Sequence, residues 1–558
     1  MRVESSVASE SARWRVGFVL AFTLLQSVKL GLAMRLAPFV DEAFYWQESR
    51  HLAWGYSDLP PLTAWLIRLG ETVTGQHGVL AMRWPFLLLG AALPWLVVVY
   101  ARSLFGARAG WQAGLWCLAL PLAGTLGLLA LPDVPLTFAF MLAVLGLSAA
   151  MARDRWRDWL LLGLALALAW MTHYRAGMLV LAGAVLLVAT PRGRTLWRRP
   201  GLWLAFGMML AGMLPMLASN LSMHGAGLEF QLVQRNPWRF HADALVQPLE
   251  QALVCTPLLY GLLLWAAWRS MLRAREGAAG DWDLVAVLAW TFLGGYFLFG
   301  LFADDTHFRV HWPLPGYLPL LAVLPVLIRE HRPASPAWKG LVIATAALAA
   351  LFQVAIVAWL GMTTVPGAAN WLHRSKAYPA QFIGWRESGN RVRSLLRQSA
   401  PGTVLVADNF EMAAELDFQL DGSRPVYVLD SPLNVKHGRR AQLHVWRLDG
   451  ASLRRLHAGA PMLLVVEESR LAEREQPLVL GASCRRIIDP KRVGDLAFGL
   501  GRKRVAFYEG TVPRKLLPQH DRDACPIWMH AYHTRQAAEL GRVRAPVRHS
   551  REAGATGP

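Results

Sequence analysis

Apolar runs close to 20 residues long recur through the first two-thirds of the chain, parted by short polar stretches rich in arginine. Such runs match the bilayer core, which takes roughly 20 apolar residues to cross as a helix. The first, from about Val16 to Ala37, follows a polar start carrying Arg2, Arg13 and Arg15. It is too long for the apolar region of a signal peptide and has no evident small-residue cleavage site, so it reads as a retained span. Further spans are expected near 79–101, 109–130, 133–151, 158–172, 176–190, 201–220, 250–268, 284–302, 313–328 and 340–361, about eleven in all. Lys29 sits inside the first run. A mid-span ammonium costs roughly 3 kcal/mol, so it should face the bundle interior or snorkel. Between the first two spans, Pro60-Pro61 can open a helix in which Leu62, Trp65, Leu66, Leu69 and Val73 recur at three- and four-residue spacing. It is too short to span and is expected to lie flat on the membrane face.

Beyond Gly361 the pattern changes. Short β-branched runs at Thr403–Asp408, Pro425–Asp430, Met462–Glu468 and Arg504–Gly510 alternate with helical stretches, one of them near Glu411–Leu420. That alternation predicts a small α/β domain. The expected layout is a transmembrane domain over 1–365 whose first external loop is 38–78, an external α/β domain over 366–536, and a basic tail over 537–558 without apolar period, expected to be disordered.

Composition then narrows the class. The 558 residues are 54% hydrophobic and 17% charged, with 25 Trp, which excludes an ordinary soluble enzyme. The net charge of +19 could point to nucleic acid, but the bases follow the spans. If the N-terminus is cytoplasmic, the inner loops hold Arg102 and Arg108, Arg153 to Arg157, Arg192 to Arg199, Arg269 to Arg275, and Arg329 to Lys339. The opposite loops carry Asp41, Glu42, Asp58, Asp133, Glu229, Asp243, Asp304 and Asp305. The positive-inside rule therefore puts the acidic loops and the C-terminal region outside, with no nucleic-acid partner needed. None of the four cysteines forms a metal spacing. Cys117 and Cys255 lie in apolar runs, whereas Cys484 and Cys525 lie beyond the last span and could pair if that region faces an oxidising compartment.

The first external loop crowds Asp41, Glu42, Glu48 and Asp58 among Tyr45, Trp46 and Trp54. One reading is a solvated loop with an interfacial aromatic belt. The other is an acid poised to activate a hydroxyl at the membrane surface. The strings DEAFYW (Asp41–Trp46), GYSDLPPL (Gly55–Leu62), AMRWP (Ala81–Pro85), LPDVPLTF (Leu131–Phe138), THYRAG (Thr172–Gly177) and HWPLPGYLPL (His311–Leu320) resemble the membrane-embedded lipid-linked-sugar glycosyltransferases. That group includes the protein O-mannosyltransferases and the aminoarabinose transferases of lipid A. The resemblance implies a GT-C fold in a bacterial inner membrane, a polyprenyl-phosphate sugar as donor, an envelope lipid, glycan or protein hydroxyl as acceptor, and an inverting displacement.

On that reading Asp41 matches the acidic position of the family's first-loop motif and is the expected base. Glu42 assists or binds sugar hydroxyls, and Asp133 joins the site from the same side. An acid at a helix start could equally cap its own helix. Phosphate favours the planar fork of arginine. The candidates are Arg83, Arg175 and Arg309, with His173, His307 and His311 close in sequence. A single arginine at a span end is more often a snorkelling anchor. Family members often carry Lys-Tyr where this chain has His173-Tyr174-Arg175, the charge then being kept by Arg175. Tyr45, Trp46, Asp58, Trp84 and Trp312 are the expected sugar and isoprene contacts. No cofactor is implied, and no pattern supports a divalent metal. The rival class is a transporter or lipid flippase, which should place ionisable residues or broken helices at the bilayer midplane. Here they gather at span ends on one side.

Overall fold

The computed structural model describes residues 2–234, 238–302, 310–331, 335–469, 476–518 and 525–531. The expectations for His307, Arg309 and the tail over 537–558 lie outside the described residues. The chain divides into two compact units, one of Met1–Ala368 with Pro432–Val445, the other of Ala369–Ser431 with Trp446–Pro558.

The first unit is helical. Six helices among the described residues are long and apolar enough to cross a bilayer: Glu10–Arg35, Val79–Ala119, Asp133–Arg153, Pro200–Ser222, Trp282–Phe302 and Pro336–Met362. A seventh crossing would combine Ala242–Cys255 with Pro257–Arg275, which meet at a bend of 112°. Shorter apolar helices at Trp156–Thr172, Ala176–Ala189 and Leu314–Glu330 occupy three more of the expected positions. The run expected over 109–130 is not one helix. The chain enters it inside the helix Val79–Ala119, which breaks at Gly106 (φ 83°, ψ 174°), a conformation that side chains avoid. It leaves the helix at Leu120, whose extended backbone (ψ 114°) is what a residue before proline prefers. The core is built around Leu314–Glu330, where every residue from Leu314 to Leu327 is buried, as suits a helix that is apolar all round.

Two details of this unit position the site. The helix Leu62–Thr74 packs through Thr63, Ala64, Ile67, Gly70 and Glu71, while Leu69 and Val73 on its apolar stripe point away from the protein. Gly70 permits the approach, because a Cβ there would stand 2.1 Å from the Ala81 carbonyl oxygen. Lys29 is buried and donates to the Leu126 carbonyl at 2.5 Å, so its ammonium faces inward.

The second unit holds a five-stranded sheet in the order β2-β1-β3-β5-β4, with β1 Val404–Ala407, β2 Val426–Val428, β3 Pro461–Glu467, β4 Ile488–Phe498 and β5 Lys503–Thr511. β2, β1 and β3 are parallel, in register Leu405↔Val426 and Leu405↔Leu463, and β5 and β4 continue antiparallel. The parallel strands are buried nearly throughout, as expected where both faces are covered. β4 was not expected: its Asp489, Pro490, Gly494 and Asp495 break the β-branched pattern, and the strand is mostly surface, with register shifts against β5. Cys484 and Cys525 are disulfide-bonded, with Cα atoms 5.9 Å apart.

Candidate active site

The first external loop folds as a helix, Val40–Arg50, that begins with Asp41 and Glu42 in its first turn, where acids suit the helix dipole. Most of its side chains are buried. The helix turn sends its two neighbouring carboxylates into different surroundings.

Glu42 meets Arg83, both fully buried. Arg83 Nε donates to Glu42 Oε1 at 2.7 Å and Nη2 to Oε2 at 2.5 Å, a bidentate pair. Its remaining N–H groups go to the carbonyls of Ala33, Leu36 and Ala37 at 3.0–3.1 Å. All five guanidinium donors are thus taken by the protein. Glu42 also accepts from the backbone N–H of Phe39 at 2.9 Å and of Ala130 at 2.6 Å. This corrects two expectations. Arg83 has no donor left for a phosphate, and Glu42 has no lone pair directed at a substrate; together they tie the first helix to the loop and the second helix.

Asp41 belongs to a different group. Arg439, on the short helix Arg439–Val445 of the same unit, lies against Asp58, with Asp41 Oδ1 at 3.3 Å and Glu48 Oε1 at 3.6 Å. Its guanidinium stacks over Phe44 at 4.1 Å and Tyr45 at 5.1 Å. The Asp41 side chain remains 29% exposed, whereas those of Arg439, Glu48 and Asp58 are buried. Burial, and then the neighbouring Asp58 charge, push the Glu48 carboxyl well above the usual carboxylate range. Burial alone would lower the Arg439 pKa, but Asp58, Tyr45, Asp41 and Glu48 outweigh it and hold the guanidinium charged.

Asp133 makes a third group. It caps no backbone N–H of its own helix; instead Arg175 donates to Asp133 Oδ1 at 2.7 Å and His311 Nε2 lies 3.3 Å from the same oxygen. Arg175 also lies over the Trp312 ring at 5.4 Å. His173 is buried at the end of the helix Trp156–Thr172 and accepts from the Arg175 backbone N–H at 3.0 Å. Asp133, Arg175, His311 and Trp312 line a small cavity with Tyr296, Phe292 and Leu179. Leu179 also lines a neighbouring apolar cavity of about 230 Å³ that extends between helices along Leu147, Leu162 and Phe206. The Tyr174 hydroxyl accepts from Asn220 at 3.0 Å, and its pKa is raised by burial and by the charge of Asp58.

The expected aromatic contacts divide. Trp312 and Tyr45 border these charged groups, but Trp46 is buried with its indole N–H on Glu71 at 2.6 Å, and Trp84 donates to the Gly70 carbonyl at 3.1 Å. Both tryptophans brace the helix Leu62–Thr74 and are not set to stack on a sugar. Arg439 had no signal in the sequence beyond a basic run, Lys436-His437-Gly438-Arg439-Arg440, about 400 positions from its partners. Among the described residues, no group of three or more His, Cys, Asp and Glu side chains is placed to hold a metal ion.

With this geometry in view, the comparisons with known proteins are informative. The profile of the dolichyl-phosphate-mannose-protein mannosyltransferases matches residues 58–218. The chain is 26% identical over 420 residues to the lipid A galacturonosyltransferase RgtD of Rhizobium johnstonii, a match spanning 73% of this chain and 83% of that protein. In fold it resembles ArnT from Cupriavidus metallidurans bound to undecaprenyl phosphate, with a TM-score of 0.62, 18% identity, and coverage of 88% of this chain and 98% of that one. The apo state of the same ArnT gives a TM-score of 0.61 at 17% identity, covering 89% and 98%. Sequence and fold point the same way: part of the chain matches the mannosyltransferase family, most of it is similar to a lipid A glycosyltransferase, and its fold is that of ArnT.

Proposed function

We propose that the protein takes a sugar from a polyprenyl-phosphate donor at the outer face of a bacterial inner membrane and transfers it, with inversion, to a hydroxyl of an envelope lipid or glycan. Lipid A is the first acceptor to test, since that is the acceptor in the name of the RgtD relative. Asp41 acts as the base: it accepts the proton of the acceptor hydroxyl as that oxygen bonds to the anomeric carbon, and the bond from that carbon to the phosphate oxygen breaks. Arg175 and His311, held by Asp133, meet the charge that develops on the departing phosphate. The apolar cavity beyond Leu179 offers the first isoprene units a place once the phosphate is at Arg175.

The observation that carries this reading is the solvent-facing carboxylate of Asp41 beside a guanidinium, next to a fully satisfied Glu42. An orientation with the N-terminus in the cytoplasm and residues 366–536 outside as an extramembrane α/β domain is supported by the arginine-rich loops opposite the acidic ones. A disulfide in that domain suits an oxidising compartment. Among the described residues, the six long helices, the bent pair and the three shorter apolar helices would make ten crossings, and counting Val79–Ala119 as two at its Gly106 break would make eleven. The outward stripe of Leu69 and Val73 suits a helix lying in the membrane interface.

Asp41→Asn keeps the shape of the side chain and removes its basicity, so turnover in membranes supplied with polyprenyl-phosphate sugar should fall roughly 10²–10⁴-fold, with donor binding little changed. Transfer at the wild-type rate by well-folded variant would exclude Asp41 as the base and pass the role to Asp133. Mass spectrometry of lipid A and of envelope glycoproteins from a deletion strain identifies the acceptor; a loss confined to the glycoproteins would move it from lipid to protein.

A further inference from the structure

We propose that Arg439 is a positioning residue for Asp41, which makes Pro432–Val445 part of the transfer machinery even though it interrupts the sequence of the α/β unit. The proposal rests on Asp41 being the base. A structural ion pair needs one carboxylate for one guanidinium, and Asp58 already supplies it in full contact and almost full burial. Arg439 nonetheless also reaches Asp41, and it is the Oδ1 atom that it engages. The Oδ2 atom makes no hydrogen bond among the described residues and is the oxygen left to take a proton.

The guanidinium is in no position to wander. Phe44 and Tyr45 lie against it at 4.1 and 5.1 Å, and Ser57 holds its segment at residues on either side in sequence. Ser57 Oγ donates to the Gly438 carbonyl at 2.6 Å, and the Ser57 N–H donates to Gln442 Oε1 at 3.0 Å. Gly438 sits at φ 72° with its Cα face against Phe230, where a Cβ would come within 2.7 Å of the ring. Only glycine fits both constraints, so the residue before Arg439 is itself specified by the docking. The segment is therefore seated by contacts independent of charge, and the charge it delivers is aimed. Asp41, Tyr45 and Glu48 on the helix Val40–Arg50 and Asp58 on the following loop face this guanidinium, with Lys436, His437 and Arg440 on its own segment. Removing Arg439 leaves Asp41 unaimed and next to two further carboxyl groups without their cation, which favours its protonated, inactive form.

The test is steady-state transfer by the full-length chain in membranes, with active enzyme counted separately from total protein. Arg439→Gln should lower kcat on the order of 10²-fold with the donor KM little changed, and move the acid limb of the kcat/KM profile to higher pH by on the order of one unit. Arg439→Lys, which keeps the charge but loses the fork, should recover part of kcat and bring the acid limb back. Should Arg439→Gln fold poorly, the double variant Asp58→Asn with Arg439→Gln removes both buried partners together and should fold while keeping the low kcat. An unchanged kcat and acid limb in either variant, or a loss explained wholly by less folded protein, overturns the proposal. The underlying base assignment fails by a different result, an active Asp41→Asn; an inactive Asp41→Asn beside a fully active Arg439→Gln removes the positioning role alone.

Discussion

Two buried arginines meet the same eleven-residue helix, and they do opposite things with it. Arg83 has five donors and five protein acceptors, one carboxylate partner and no solvent. Arg439 has three carboxylates for one charge, and one of the three, Asp41, stays partly in water. The first arrangement is electrically closed and can only hold the chain together. The second carries surplus acid, and surplus acid in a buried site must be stored either as a bound proton or as an unbalanced charge. Burial and Asp58 drive the Glu48 pKa up, which makes Glu48 the group that favours holding the proton. Of these two groups only the second leaves room for proton traffic, which is why the proposal gives chemistry to Asp41 and architecture to Glu42 and Arg83, although Asp41 and Glu42 are adjacent in sequence.

The largest effect on stability is expected from Arg83→Ala. It strands a buried Glu42 charge and unties three carbonyls, so unfolding in detergent should become easier by about 3–5 kcal/mol, visible as a lost or sharply lowered melting transition. A variant that melted like wild type and merely bound donor less well would reverse the comparison and return Arg83 to the phosphate. Asp58→Asn should cost less, about 1–2 kcal/mol, because Asp41 and Glu48 remain to balance Arg439. A loss as large as that of Arg83→Ala would mean that the second group has no surplus.

How far the sequence went follows from what it can encode. Apolar run length predicted helices at most of their observed positions, and β-branched runs predicted β1, β2, β3 and β5. The run over 109–130 failed because Pro121 acts on backbone geometry inside an unbroken hydropathy profile, whereas the break at Gly106 falls between the two expected spans. Of the residues that the resemblance, residue type and span-end position singled out, Asp41 and Asp58 lie together at Arg439, and Asp133, Arg175, His311 and Trp312 lie together in a second charged group. Residue type and position could not tell a free guanidinium from a saturated one, so Arg83 was expected at the phosphate, nor a stacking indole from one whose N–H is committed to Glu71 or Gly70. Arg439 was beyond reach for another reason. Its pairing closes a separation of 398 residues, and nothing local distinguishes it from a solvated base.

Glu48→Gln should produce the smallest change at pH 5, about 1 kcal/mol or less, and its sign is the informative part. The folded state holds Glu48 protonated to a higher pH than the unfolded chain, where a glutamic acid loses its proton near 4.3. Above that value the folded protein binds more protons than the unfolded one, so wild-type stability falls as pH rises, and stops falling only once the raised folded pKa has been passed. Glutamine mimics the neutral acid and cannot ionise, so it escapes this loss. The melting temperature of Glu48→Gln relative to wild type should therefore start near equality in acid and climb as pH increases from 5 to 8, by at most about 1.4 kcal/mol of stability per pH unit. A gap that narrows or inverts over that range would mean that Glu48 is ionised in the fold. The second group would then store its surplus as charge and not as a proton, and the contrast with the closed pair of Glu42 and Arg83 would lose its physical basis.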